Sequence, residues 1–390
     1  MSFKEFNQHA NKVIALIEKE APSEAIIVHH DDADGLCSAA VMLKALEREG
    51  INAKTFCLEK VYMEVIADLH SKESQTIFYV DIGSSHADAI SEFNKGRNLT
   101  VILDHHDPKP PKDPKVLDLN LENFGFKGET DFSGATCCYL FAKALNEENI
   151  DLSYLALVGS SEIPEGFKSI NAMVVEEAIK AGVVHKKGKT FEIPKLGVKV
   201  DSLFSSLQIL GAVGYYEGGP DLGIKACLEG IDAAVDEKIA VLEERRKEAN
   251  RRLLGRLYRE RLKETAHIQW FDAEDMYAGM GTKVIGQFCS FLSYQTRLIK
   301  PDKYLLGFVN VPQEIPKWGK LKETYVKASV RVPRPMQKMI DNGKLPGAVN
   351  LLDKATKEFG IADGHQYAAN AVLHANKKME LLNRAEKLLQ

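Results

Sequence analysis

Between residues 25 and 104 the chain repeats one pattern, in which short uninterrupted apolar runs alternate with helical stretches. The runs are AIIV (25–28), AKTFC (53–57), TIFYV (76–80) and LTVILD (99–104). Helical spacing marks CSAAVMLKALERE (37–49) and HADAISEFNK (86–95). Strands separated by helices return to the sheet by crossovers, which makes neighbouring strands parallel. Apolar runs without polar alternation suit strands covered on both faces. The expected fold class is therefore α/β, a mostly parallel sheet with helices on both sides.

The pattern then changes. Residues 133–230 read as helical, with a Gly-rich break at VGYYEGGPDLG (213–223). Residues 232–264 form one long charged stretch with no Pro and a single Gly, expected as an interdomain helix. Beyond it come HIQWF (267–271), a helix around 282–293, strands at 304–310 and 325–333, and helices at 346–359 and 374–389. This is the content of a second, smaller α/β domain. The expected division is residues 1–230, a connecting helix at 231–264, and residues 265–390.

Charge follows the same division. From residue 264 onward there are 18 Lys and Arg against 13 Asp and Glu, whereas the preceding residues carry 33 against 42. An acidic first part suits a metal, and a basic last part suits a polyanion. No apolar run approaches the roughly 18 residues of a membrane span. The N-terminal stretch reads as an amphipathic helix and lacks the basic–apolar–small order of a signal peptide. The six cysteines show no CxxC or zinc spacing, so free buried thiols and a cytoplasmic location are expected.

Three of the strands end in acids or histidines. HHDDADG (29–35) follows the first, Asp81 follows TIFYV, and Asp104, His105 and His106 close the run at 99–104. In an open parallel sheet, ligands bind beyond the carboxyl ends of the strands, so these distant segments can share one cleft. Carboxylates with imidazoles, and no thiolates, are ligands for divalent ions such as Mn²⁺ or Mg²⁺. Carboxylates held close raise one another's pKa, and a cation removes that repulsion. Two ions bridged by one carboxylate suit hydrolysis of a phosphoester or phosphoanhydride.

HDDADG, Asp81 and DHH (104–106) resemble the first three motifs of the DHH phosphoesterase superfamily. Within it the chain is most similar to RecJ-like exonucleases and nanoRNases. VKASVR (326–331) and ADGHQYAAN (362–370) are similar to the S-x-R strand and the glycine-rich substrate loop of the DHH-associated domain. The resemblance implies two ions, one held by His30, Asp32 and Asp81, the other by Asp34, Asp81 and His105. It implies that His106 stands near the scissile phosphate and that Asp104 orients the histidines. It further implies that Ser329, Arg331, Gly364 and His365 contact the phosphates or sugar of a nucleic-acid strand.

Two segments depart from that pattern. In LALVGSSEIPEG (155–166) the fourth-motif Asp position, counted from Gly159, holds Ile163, with Glu162 one residue earlier as the candidate replacement ligand. Ala362 and Asp363 stand where two glycines are expected, and Asn370 replaces the final one. Three functions therefore stay open. The first is a Mn²⁺- or Mg²⁺-dependent exonuclease or phosphodiesterase that hydrolyses single-stranded DNA or short RNA with a metal-activated water. The second is a weak or inactive nucleic-acid-binding scaffold of replication or repair with a protein partner. The third is a small-nucleotide phosphatase. None of these readings involves a membrane.

Overall fold

The computed structural model describes residues 2–163 and 166–390. The chain divides into two compact units, Met1–Gly211 with Gly218–Ile239, and Ala212–Glu217 with Ala240–Gln390.

In the first unit, α1 (Phe3–Glu20) precedes β1 (Glu24–His29), α2 (Ala33–Arg48), β2 (Asn52–Cys57), α3 (Met63–Leu69), β3 (Thr76–Val80), α4 (Ala87–Asn94), β4 (Leu99–Leu103) and β5 (Val116–Asp118). The five strands form one sheet in the order β2-β1-β3-β4-β5, and every pairing in it is parallel. The central strands β3 and β4 are buried throughout, as their uninterrupted apolar runs require, while the edge strand β2 alternates exposed and half-buried residues over its first half. The register places His29 beside Val80 and Val80 beside Leu103. The residues following β1, β3 and β4 therefore leave the sheet side by side. The fifth strand is only three residues long and carries no apolar run that the sequence could reveal.

Next come α5 (Gly134–Leu145), α6 (Ser153–Ser160), α7 (Ser169–Lys180), the short strands β6 (His185–Lys187), β7 (Thr190–Ile193) and β8 (Val198–Lys199), then α8 (Val200–Gln208), α9 (Gly219–Glu229) and α10 (Ala233–Glu260). The antiparallel sheet β6-β7-β8 corrects the expectation that residues 133–230 are helical apart from the Gly-rich break at 213–223. β6 is exposed and β7 mostly half-buried, and both are too short for an apolar periodicity to mark them. The long charged stretch is helical up to Glu260, and Arg261 then turns left-handed at φ 64°. In the second unit α10 contributes only a narrow buried stripe, Leu242, Ala249, Leu253 and Leu257.

That unit continues with β9 (Lys263–Glu264), β10 (Ile268–Asp272), α11 (Lys283–Leu292), β11 (Tyr304–Val311), the hairpin β12 (Glu314–Ile315) and β13 (Gly319–Lys320), β14 (Tyr325–Arg331), α12 (Arg334–Asp341), α13 (Ala348–Thr356), β15 (Gly360–Gly364), β16 (Ala368–His374) and α14 (Lys378–Leu388). Six strands form a mixed sheet, β15-β16-β14-β11-β10-β9. Alternation along β14 sorts its side chains. Val326, Ala328 and Val330 join a core with Leu351, Leu352, Leu381 and Leu382. Lys327, Ser329 and Arg331 occupy the other face. The β15–β16 hairpin replaces the expected loop and the start of the last helix. Among the described residues no helix is long and apolar enough to cross a membrane.

Candidate metal centre

At the end of β1 the chain turns directly into α2. Asp32 caps the helix, its Oδ1 accepting the Gly35 amide at 2.9 Å, while its Oδ2 lies 2.7 Å from Nδ1 of His30. His30 Nε2 faces the carbonyl of Glu59 at 3.2 Å. A carbonyl only accepts, so that nitrogen, also 3.3 Å from Asp31 Oδ1, donates, and Nδ1 is the one turned toward Asp32 and Asp81.

Asp34, in the first turn of α2, reaches the N-terminus of α5. Its Oδ1 accepts from Ser133 Oγ at 3.0 Å and from the Ala135 amide at 2.8 Å; its Oδ2 accepts from the Gly134 amide at 2.9 Å. These donors are the unsatisfied amides and cap of a helix start, where a negative charge is favoured. Gly159 of α6 packs so closely that a methyl group there would collide with Asp34 Oδ1.

Asp81 follows β3 with φ 57°, a left-handed conformation costly for a residue other than glycine. Its amide donates to the Leu103 carbonyl at 2.9 Å, which fixes the turn against β4. The carboxylate stands between two imidazoles, Oδ1 3.4 Å from His105 Nε2 and Oδ2 3.8 Å from His30 Nδ1. A Cβ on Gly134 would strike this carboxylate. Burial, and then repulsion from Asp34, Asp32 and Asp104, push the Asp81 carboxyl well above the usual range.

Asp104 follows β4 and organises both histidines. Its Oδ1 accepts from His106 Nδ1 and from the His105 amide, each at 2.7 Å; its Oδ2 accepts the Ser84 amide at 2.9 Å. Burial alone would raise this carboxyl, but the adjacent His106 and His105 and the Ser84 amide hold it well below the usual range. His105 Nδ1 donates to the Gly128 carbonyl at 3.0 Å, leaving Nε2 toward Asp81 and, at 3.8 Å, Asp34 Oδ2.

Sequence reasoning missed the layer behind these groups. Asp118, at the end of β5, accepts Ser84 Oγ at 2.9 Å and the Asn120 amide at 3.0 Å; Asn120 Nδ2 donates to the His106 carbonyl at 2.7 Å. Burial pushes the Asp118 carboxyl up to about 7, against the pull of its hydrogen bonds. Ser133 and Gly134 were also missed. A Ser directly before a helical run is a cap signal, so Ser133 was findable; that its helix would meet Asp34 was not.

The donor set suits divalent cations. Ligand atoms of His30, Asp32 and Asp81 lie within 4.8 Å of one another, and so do those of Asp81, His105 and His106. Oδ1 of Asp81 and the Asp31 carboxylate are buried without a hydrogen bond from the described residues, although His30 Nε2 stands 3.3 Å from Asp31 Oδ1. Such oxygens are expensive to bury unless a cation meets them. Glu162 is not brought into this cluster. It is exposed, and its Oε2 accepts from Gln208 Nε2 at 3.1 Å. Ile163, at the fourth-motif position, is buried.

The four expected strand-binding residues all lie in the second unit. Ser329 and Arg331 share one face of β14. Ser329 Oγ donates to Asn370 Oδ1 at 2.6 Å, so the Asn in place of glycine has a defined partner. Arg331 donates through Nε to Ser290 Oγ of α11 and through Nη1 to the Val330 carbonyl, both at 2.8 Å. Gly364 ends β15 with φ 127°, and exposed His365 follows it in the turn, its amide donating to the Ala368 carbonyl at 2.8 Å.

Residues 24–160 match the DHH family, N-terminal domain. Those residues thus carry a DHH domain, and the fold of the chain is RecJ-like. Over 142 residues it is 33% identical to the Methanocaldococcus jannaschii protein MJ0831; the match covers 34% of this chain and 31% of that protein, so it spans about a third of the relative's length. RecJ of Thermus thermophilus, solved with Mn²⁺, superposes with a TM-score of 0.67 at 18% identity over 98% of this chain and 54% of that one. A manganese-bound exonuclease RecJ gives 0.65 at 19% identity, covering 100% of this chain and 95% of that one. CDC45 of Entamoeba histolytica gives 0.52 at 11% identity, with 99% of each chain covered.

Proposed function

We propose that this chain is a divalent-metal-dependent phosphodiesterase that removes nucleotides from single-stranded DNA or short RNA. One observation carries the reading. His30 and His105 each donate one ring nitrogen to a fixed backbone carbonyl and turn the other toward a shared carboxylate, Asp81. That is how imidazoles are held for a metal, with the tautomer set from behind. His30, Asp32 and Asp81 would hold one ion, and Asp34, Asp81 and His105 the other, with Mn²⁺ or Mg²⁺ as the cation. Such ions supply a Lewis acid for a phosphoryl oxygen and acidify water.

The chain's own groups do the rest. Asp104 stays ionised and keeps the His106 proton on Nδ1, so Nε2 is the nitrogen left to face a substrate phosphate. Arg331 and Ser329 would take strand phosphates without reading bases, with Gly364 and His365 beside them. Manganese in two RecJ structures supports the choice of cation.

A second reading has an observation of its own. The fourth-motif acid is replaced by buried Ile163 while Glu162 lies outside the cluster. A weakened site favours a strand-binding scaffold with a replication or repair partner, and the likeness to CDC45 is compatible with that.

One assay separates the readings. Purified protein is incubated with Mn²⁺ and labelled single-stranded DNA, RNA and dinucleotides, beside an Asp32→Ala, Asp81→Ala variant. Stepwise metal-dependent shortening, lost in the variant, is expected. Cleavage of dinucleotides alone would point to a small-nucleotide phosphatase, and binding without cleavage to the scaffold.

A further inference from the structure

The buried stripe of α11 is Val284, Ile285, Phe288, Cys289 and Leu292. The opposite side of an amphipathic helix is expected to be polar. At the edge of the buried stripe, Phe291 sets its ring 6.1 Å from that of Phe288 yet stays 46% exposed, and one turn later, just past the helix, Tyr294 is 63% exposed. Single exposed apolar residues are ordinary; two large aromatics three residues apart on one side are not. The Arg334 guanidinium, at the start of α12, lies 5.5 Å from the centre of the Tyr294 ring. Ser290, the residue before Phe291, receives the Arg331 Nε–H at 2.8 Å.

Cationic chemistry continues past Tyr294. A cavity of about 360 Å³ is lined by Thr296, Arg297, Arg261, Lys300 and Glu264, among others. Glu264, the acid of this lining, pairs with Lys300 and Lys303, whereas Arg261 and Arg297 are exposed. The segment thus carries two exposed aromatic rings, a guanidinium fixed over one of them, and exposed Arg297 three residues beyond it. Acidic or neutral partners of other kinds need one of these features; a single strand of nucleic acid uses both, stacking its bases on rings while its phosphates meet arginines.

We infer that Phe291 and Tyr294 form a base-stacking platform for single-stranded nucleic acid, with Arg334 and Arg297 taking the neighbouring phosphates. The inference rests on the proposed function and adds to it a reason why the strand must be unpaired: only an unstacked base presents its face to a ring.

The test uses the full chain without divalent cations, so that nothing is cleaved. Affinities are measured by fluorescence anisotropy for a labelled oligo-dT and for a strand of equal length and charge made of abasic residues. The wild-type protein is expected to bind oligo-dT at least about tenfold more tightly. A Phe291→Ala, Tyr294→Ala variant is expected to lose that difference while keeping its affinity for the abasic strand. Both substitutions are on exposed side chains, and a second variant, Tyr294→Trp, reads stacking without removing the ring: its added emission should be quenched by oligo-dT and not by the abasic strand. Equal wild-type binding of the two strands, or a double variant that still prefers oligo-dT, would overturn the platform and leave nucleic-acid binding standing. Equal loss of both strands in the double variant would also overturn it, because the rings would then serve phosphate binding. Wild-type protein that binds neither strand would remove the proposed function as well.

Discussion

Oδ1 of Asp34 accepts the backbone amide of Ala135 at 2.8 Å, so an acid from the first turn of α2 closes the start of α5. Two residues about a hundred positions apart thereby fix the relation of two helices beside the candidate metal centre. The buried carboxylate accepts from a hydroxyl and two backbone amides, so its charge is met by neutral donors.

Asp34→Asn should therefore destabilise the protein even without metal. The amide offers one acceptor and turns its NH₂ toward one of the three donors, leaving a buried group unsatisfied at about 1–3 kcal/mol. Urea unfolding in EDTA measures it; an unchanged midpoint would show that these hydrogen bonds contribute nothing.

Asp81→Asn should act in the opposite direction in EDTA. Removing a buried charge that Asp34, Asp32 and Asp104 repel is expected to leave the metal-free protein as stable as wild type or more so. With Mn²⁺ the order reverses. Wild type gains a higher Tm from a ligand that binds only the folded state, and the variant loses most of that gain. A variant with the full Mn²⁺ shift would remove Asp81 from the ligand set.

Asp118 gives a pH signature. Its carboxyl titrates at about 7 in the folded protein, against about 4 in an unfolded chain. Between those values the folded state holds the extra proton, so this group's contribution is complete below about pH 4 and is lost as pH rises through about 7. Unfolding free energies in EDTA across pH 4–8 should fall less steeply for Asp118→Asn than for wild type. Parallel curves would contradict the raised pKa.

Gly159→Ala should be poorly tolerated. The added methyl meets Oδ1 of Asp34, and neither helix can move without disturbing packing, at about 1–3 kcal/mol. The same substitution should weaken the Mn²⁺-induced rise in Tm. Since Gly159 has no side chain, a normal Mn²⁺ response together with normal stability would mean that α6 can shift freely.

Glu162→Ala, by contrast, should leave the Mn²⁺ response close to that of wild type, because Glu162 is exposed and engaged with Gln208. A strongly reduced response would bring Glu162 back as a ligand.

Much of this centre could be read in the sequence because parallel strands buried on both faces announce themselves, and the residues after each strand emerge at the same edge. His30, Asp32, Asp81 and His105 were legible for that reason. β5 was not, since three residues, one buried and two half-buried, leave no pattern, and with it Asp118 and Asn120 stayed hidden. The engagement of Asp34 with Ser133 was equally hidden, because it depends on where a helix a hundred residues away happens to begin. In the second unit the β15–β16 hairpin was obscured by its small and polar residues, whose strand character comes from pairing, β15 with β16 and β16 with β14, rather than from local preference.

The three donors around Asp34 bear on how quickly and how selectively the centre could fill. If Asp34 is the ligand proposed above, a carboxylate already seated at a helix start need not be gathered from a wandering ensemble, so an arriving ion would forfeit less disorder and gain affinity by that amount. The same rigidity fixes where one oxygen must be. Ions of unsuitable radius cannot draw that carboxylate toward themselves, and discrimination between cations then falls to the remaining, less tethered groups.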